Sequence, residues 1–559
     1  MAAPARRGLD RRRFLGGAAG LAAAALVWRP VVPGAWAQAV PPIASDPFTL
    51  GVGSGDPLPD RVVLWTRLAP EPMQGGGMDA VDVPVDWEVA TDAGFADVVA
   101  SGTAMAPAAY AHSVHVDAAG LSADSWYSYR FRVGEWTSPV GRTRTAPAAG
   151  AAVDRLALGF ASCQNYGNGY YTAHAHLAAE DLDVVFFLGD YIYESTGSRI
   201  RPVPGGETVD LAGYRNRYAL YRSDPNLQAA HQRCPWIVTW DDHEVDNNYA
   251  GDVSQDDDPA AAFLARRAQA YQAWWEHQAV RMPAPTGPDL VIHRSLEWGS
   301  LASFFVLDTR QFRADQACGD GLVEPCDTNL DPTRTMLGPD QEAWLERSMT
   351  ASCSTWNLVA QQVVMAPTPL GTIINQDQWD GYPVARQRML DLFARPEVRN
   401  PLVLTGDIHA SGAGRLVADA ADPASPVVAH ELVGTSISSS FPAGLDDIFE
   451  TIVMALPNAV YANASQRGYV TVEVTSAMAT ARWRVVDTID EPTSDVATDF
   501  TWEIEAQPDP DPARCAPTPE TTTTTGPAAS PTTTDGRPTG TSATPTAARP
   551  VSASPTYAG

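Results

Sequence analysis

The stretch Leu182-Asp183-Val184-Val185-Phe186-Phe187-Leu188-Gly189-Asp190-Tyr191-Ile192-Tyr193 decides how this chain folds. Its apolar run, closed by Gly-Asp, reads as a buried β-strand. Such a strand carries the Asp190 carboxylate to the carboxyl edge of an open α/β sheet, where these folds bind ligands. Tyr193 follows within one turn of that carboxylate. A carboxylate and a phenolate so spaced can serve as a pair of hard oxygen ligands for Fe(III).

Upstream of this stretch, residues 156–161 read as a second buried strand and 171–180 as helical, which gives a βαβ unit. Further buried strands are expected at 236–240, 304–307, 356–360 and 402–405, with helices over 258–278 and 338–349. The alternation predicts an α/β domain over 154–490. Ahead of it, 46–147 holds alternating β-rich runs separated by turns such as Asp56-Pro57-Leu58-Pro59-Asp60, which predicts an N-terminal β-sandwich. His112 and His115 lie in or beside its strands and read as structural. Residues 507–559 are Thr, Pro, Ser, Gly and Ala, too poor in apolar surface to offset ordering entropy, so a disordered C-terminal tail is expected.

At the other end, Arg11-Arg12-Arg13-Phe14-Leu15, an apolar run over 16–28 and Ala35-Trp36-Ala37 read as a twin-Arg signal peptide spanning 1–37. That run is short for a bilayer span, and no other segment looks membrane-spanning. The expectation is a chain handled by the twin-Arg export machinery, without a transmembrane anchor when mature, and secreted, periplasmic or associated with the cell wall.

A net charge of -28 with no lysine at all argues against nucleic-acid binding. It would also repel a phosphate-bearing substrate, so such chemistry would need cations bound at the site. Of six cysteines, Cys318 and Cys326 bracket a polar loop and form the best candidate disulfide in an oxidising compartment. Cys234, Cys353 and Cys515 leave an odd number, so one of them is free or Cys163 is a partner.

Four segments place chemically able side chains just after a strand: Ser162-Cys163-Gln164-Asn165, Gly189-Asp190-Tyr191-Ile192-Tyr193, Trp240-Asp241-Asp242-His243-Glu244-Val245-Asp246-Asn247-Asn248 and Gly406-Asp407-Ile408-His409. Each has a bland reading. Gly-Asp is often a turn, a lone Cys is often an inert small hydrophobe, and Asp-Asp-His-Glu can be the solvated start of a helix. All four loops could nevertheless meet on one sheet edge.

Together with Leu307-Asp308-Thr309-Arg310-Gln311, these segments resemble the PhoD-like alkaline phosphatases, from the twin-Arg signal to about residue 490. The resemblance implies an N-terminal β-sandwich followed by a four-layer α/β metallophosphatase sandwich, distantly related to purple acid phosphatases, with a site for Fe(III) and Ca(II). By position, Cys163, Asp190, Tyr193, Asp407 and His409 match the iron side, with Asp190 and Asp407 able to reach calcium. Asp242 and Asn247 or Asn248 match the calcium side, and His243 with Asp190 the catalytic positions. If Cys163 is a ligand it is in no disulfide.

The expected activity is hydrolysis of phosphate monoesters and diesters outside the cytoplasm, by a hydroxide or oxo group held between the metals, releasing phosphate for uptake. A monomer is expected. Arg310 and Arg386 read as structural ion pairs ahead of phosphate contacts, and Trp379-Asp380-Gly381-Tyr382 as part of the site rim. The rival readings are a phosphodiesterase or phospholipase D-type enzyme of the same fold, and an inactive wall-associated binding protein.

Overall fold

In the computed structural model, residues 42–515 are described, Ser198 and Pro512 excepted. The segment read as a signal peptide and residues 516–559 of the tail lie outside them.

Two mixed sheets stack face to face. The first has nine strands, centred on Leu156–Ala161, Val184–Leu188 and Trp236–Thr239, which run parallel. The second has seven, centred on Ala302–Val306, Trp356–Ala360, Pro401–Thr405 and Val427–Val433, also parallel. All of these but Val427–Val433 are buried along their whole length and mostly apolar, as central parallel strands covered on both faces are. Phe160, Phe186, Phe304, Leu358, Leu404 and Trp483 fill the space between the sheets, with the Phe186 and Phe304 rings edge to face at 5.1 Å.

Helices cover the outer faces. Tyr214, Tyr218, Leu227, Tyr271 and Trp274, from Leu211–Arg222, Pro225–His231 and Ala260–His277, pack on the first sheet. Leu345, Met349, Met389 and Phe393, from Pro339–Ala351 and Pro383–Phe393, pack on the second. The result is the expected α/β architecture in four layers.

The N-terminal strands do not form a free-standing module. Val83–Ala90, Val98–Ala106, Trp126–Val133, Trp136–Thr137 and Gly141–Arg144 make an antiparallel sheet. It packs its Val85, Tyr129 and Phe131 on Val62, Leu64 and Val114. Those facing residues belong to Arg61–Arg67 and Ser113–Ala119, which are themselves outer strands of the nine-stranded sheet. The join is Val52–Leu58, parallel to Trp236–Thr239 through Gly55 and Trp236.

Three features depart from the sequence reading. Helices over Leu211–Arg222 and Pro225–His231 were not expected; Asp210 and Asp224 cap them, accepting from Gly213 N at 2.8 Å and Asn226 N at 2.9 Å. The sheet does not stop at 490, because Val496–Glu505 adds a further antiparallel strand beside Met478–Val486. Nor does order end at 507: Arg514 donates to the carbonyls of Thr350 and Ser352 at 2.7 Å, and Cys515 is disulfide-bonded to Cys353. Cys318 and Cys326 form the second disulfide, and Cys163 and Cys234 are buried and free.

Candidate metal centre

The parallel strands end on one edge, and the loops leaving them carry the side chains singled out above. Several of these residues adopt left-handed backbone: Cys163 (φ 59°), Asp190 (55°), Asn248 (53°), Asp407 (65°) and His409 (57°). That conformation is costly for residues other than glycine and persists where the surroundings over-determine it. The flanking glycines allow the loops to touch. A Cβ on Gly189 would lie 2.4 Å from Asp241 Cβ, and one on Gly406 would lie 2.5 Å from Ser162 Oγ.

Three overlapping groups of donors result, each with its ligand atoms within 4.8 Å of one another: Cys163, Asp190 and His409; Asp190, Asp242 and His243; and Asp241, Asp242 and Asp407. Tyr193 joins the first group, its hydroxyl 2.7 Å from Asp190 Oδ2 and 3.0 Å from His409 Nε2. Asp190 and Asp242 each belong to two groups, so the donors form one continuous pocket lining.

Asn247 and Asn248 have their amide nitrogens engaged, which leaves their Oδ1 atoms as acceptors. The Asn247 amide donates to Gln255 Oε1 at 2.9 Å, and that of Asn248 to both Asp320 oxygens at 2.8 and 3.0 Å. The Asn248 backbone N–H ties this segment to the group, donating to Asp242 Oδ2 at 2.7 Å.

Asp241 was read as part of a motif but not as a donor, and four supporting residues were missed. Glu244 accepts from the backbone N–H of Asp190 (3.1 Å) and Asp241 (2.8 Å), and also from that of Tyr191, tying two loops together. Glu194 Oε2 meets His243 Nδ1 at 2.7 Å. Ser439 Oγ lies 2.7 Å from the Tyr193 hydroxyl, and Gln378 Nε2 donates to Asp407 Oδ2. Glu194, directly after Tyr193, and Glu244, inside the Asp-Asp-His-Glu run, were the available signals.

Arg310 is fully buried, donating to Asp241 and bidentately to Asp377 at 2.7 Å. It also stands 3.7 Å from Asp242 and 3.9 Å from Asp407. Arg386 pairs with Asp380. Trp379 and Tyr382 are buried in the core under the second sheet, so this segment is no site rim; its apolar rings are core.

Burial and crowding of like charges shape the titration of the pocket. Burial, with Asp190 and Asp407 nearby, pushes the Cys163 thiol up, and burial with Asp190 and Cys163 does the same to the Tyr193 phenol. Burial and the Asp242 charge lift Asp407 to about 7. Burial lowers His409 to about 4. Burial opposes the charged form of His243 as well, but Glu194, Asp242 and Asp190 outweigh it and hold the imidazole well above its ordinary range.

The donor set fits metal cations. Asp190 Oδ1, Asp241 Oδ2 and Asp242 Oδ1 are buried with no hydrogen-bond partner among the described residues. Uncompensated buried carboxylate oxygens are expensive, and a bound cation would satisfy them and let thiol and phenol ionise.

A family model described as PhoD-like phosphatase matches residues 158–483, and one for the PhoD-like phosphatase N-terminal domain matches 35–147. The chain belongs to the PhoD-like phosphatases. It is 47% identical over 507 residues to "Alkaline phosphatase D" of Bacillus subtilis (strain 168), covering 88% of this chain and 86% of that protein. A solved structure described as "Structure of PhoD" superposes with a TM-score of 0.81 at 46% identity, covering 83% of this chain and 92% of the other. This PhoD-like phosphatase is accordingly a phosphoric ester hydrolase of the alkaline phosphatase kind. Its buried Asp/His clusters are able to bind metals. Its disulfides are consistent with export. No helix among the described residues is long and apolar enough to cross a membrane.

Proposed function

We propose that the chain hydrolyses phosphate monoesters and diesters outside the cytoplasm, reached by the twin-Arg route, and so supplies phosphate. We assign Fe(III) to Cys163, Asp190, Tyr193 and His409, and Ca(II) to Asp242, Asp407, Asp190 and the Asn247-Asn248 segment. The gathering of a thiol, a phenol, an imidazole and a carboxylate supports a trivalent, thiophilic ion on one side. The oxygen-only group Asp241, Asp242 and Asp407 supports calcium on the other.

When bound, such cations supply Lewis acidity toward phosphate oxygens and toward water. The chain's own residues do the rest. Asp190, common to two donor groups, sets their separation. Glu194 orients His243, leaving its Nε2 free to give a proton to the departing alkoxide. Arg310, buried between Asp241 and Asp377, offsets part of the carboxylate charge and keeps Asp241 in place.

The observation that carries this reading is the convergence of Cys163, Asp190, Tyr193 and His409 from three loops on one point. Elemental analysis of the purified protein, with p-nitrophenyl phosphate turnover before and after calcium chelation, tests it. One iron per chain and a chelator-sensitive, calcium-restored activity are expected; a different metal pair would refute the assignment.

A further inference from the structure

A cavity of about 250 Å³ adjoins the metal centre, and its wall is mostly apolar. Ile408 lines it, while Asp407 and His409 on either side belong to the donor groups. The strand Ser411–Val417 forms its floor, and Phe449 and Val453 of the helix Asp446–Met454 close one side.

That helix is tied to the centre through a short connection. Ser439 Oγ touches the Tyr193 hydroxyl at 2.7 Å, Ser440 O lies 3.0 Å from His409 Nδ1, and the Phe441 ring packs on Phe449 at 5.1 Å. The charged residues on the wall do not face the cavity as free charges. Glu431 accepts from the backbone N–H of Met365 and Ala366 at 2.8 and 2.7 Å and from Thr405 Oγ1 at 2.7 Å. Arg415 reaches outward to the Trp502 ring, 5.8 Å away.

Because Ile408 lies between Asp407 and His409 in the chain, the cavity begins one residue from two of the donors, and an apolar substituent on a phosphate held there would leave water for it. Its polar side chains, Thr368, Ser411, Asn458 and Tyr461 among them, are a minority of a wall that otherwise offers an anionic headgroup or a sugar only carbon. We propose that the cavity is a substrate subsite for the unbranched alkyl arm of a phosphate diester. The inference rests on the hydrolase reading given above and adds the chemical class of the arm.

The test compares methyl, butyl and octyl p-nitrophenyl phosphodiesters with p-nitrophenyl phosphate, using the full metal-loaded chain. In each diester water attacks phosphorus, the bond to p-nitrophenolate breaks, and the alkyl phosphate remains. Burying one methylene corresponds to about a fourfold gain in binding. We expect kcat/KM to rise at least about tenfold from methyl to butyl.

Gly414 lines the cavity, and a Cβ there would meet Asn458 O at 3.6 Å and Ala366 Cβ at 3.8 Å, ordinary contact distances. Gly414→Leu should fill the cavity and abolish the gain while leaving p-nitrophenyl phosphate turnover within about twofold, an activity that also reports folding. Phe449→Ala, which removes a wall, should reduce the gain without touching any donor. Turnover of p-nitrophenyl phosphate with no dependence on alkyl length, or a dependence that survives in Gly414→Leu, overturns the subsite and leaves the hydrolase reading intact. Absence of turnover on every ester by metal-loaded protein overturns both.

Discussion

Glu194 Oε2 lies 2.7 Å from His243 Nδ1, and the same carboxylate accepts from Asn247 N at 3.3 Å through Oε1. One side chain from the loop after Val184–Leu188 therefore braces both the imidazole and the segment that follows it. A carboxylate behind a histidine fixes its tautomer and ring orientation. His243→Ala should lower kcat by about 10²–10⁴-fold on alkyl monoesters, whose alkoxide needs a proton. On p-nitrophenyl phosphate, whose leaving group needs none, the loss should be small. Glu194→Gln should lower kcat on alkyl esters by about tenfold with KM little changed. Equal losses on both leaving groups would refute the proton-donor role of His243.

Tyr193 donates to Asp190 Oδ2 at 2.7 Å, the distance at which both can share one metal ion. A phenolate bound to Fe(III) absorbs visible light, so the purified protein should be coloured. Tyr193→Phe should lose the band and most of its activity while retaining its fold, since the hydroxyl is the only group removed. Absorbance and iron content measured on the same sample check this. A band that persists in the variant would remove Tyr193 from the iron side.

Asp320 sits in the loop closed by Cys318 and Cys326 and takes both of its oxygens to the Asn248 amide, at 2.8 and 3.0 Å. Asn248 in turn is bound to Asp242 through its backbone N–H at 2.7 Å. The disulfide loop thus reaches the side of the site assigned to calcium. Asp320→Ala should weaken calcium binding by about tenfold, the usual cost of removing an outer support. Calorimetric titration of calcium into the metal-stripped protein reads it directly. Unchanged affinity would make the loop a surface feature only.

How much of this was legible in the sequence depends on where each residue finds its partner. Strands such as Val184–Leu188 announce themselves because burial on both faces demands an unbroken apolar run. Asp190, Asp407 and His409 are legible because the strand period and the adjacent glycine put them at the sheet edge. Glu244 is not, because its partners are backbone N–H groups of a distant loop, which no side-chain pattern encodes. Asp241 hides in an Asp-Asp-His-Glu run that could equally open a solvated helix. Val496–Glu505 escaped notice because it is an edge strand with mostly exposed residues. The fusion of the N-terminal strands with the main sheet is a tertiary fact, set by the parallel pairing at Gly55 and by contacts such as Trp65 Nε1 with Glu276 O at 3.0 Å.

His115, read from the sequence as structural, lets that fusion be tested by pH. Its ring stacks on Trp275 of the helix Ala260–His277 at 4.0 Å, and its Nε2 faces the carbonyls of Trp275 at 3.1 Å and Gln278 at 2.9 Å. Two acceptors at Nε2 require a proton there, and burial disfavours the second proton on Nδ1 that would charge the ring. Burial lowers its pKa from 6.5 to about 4. The unfolded chain therefore binds the proton first as pH falls. The stability His115 contributes is complete above pH 6.5 and is lost progressively as pH drops to about 4, to a limit of about 3 kcal/mol. His115→Gln, which keeps an amide N–H to donate but cannot titrate, should be somewhat less stable at pH 7 and lose less on acidification. Urea unfolding of both proteins at pH 7 and pH 4.5 measures the difference in slope. A pH dependence identical in the two would show that the contact between His115 and Trp275 does not couple the N-terminal strands to the catalytic helices.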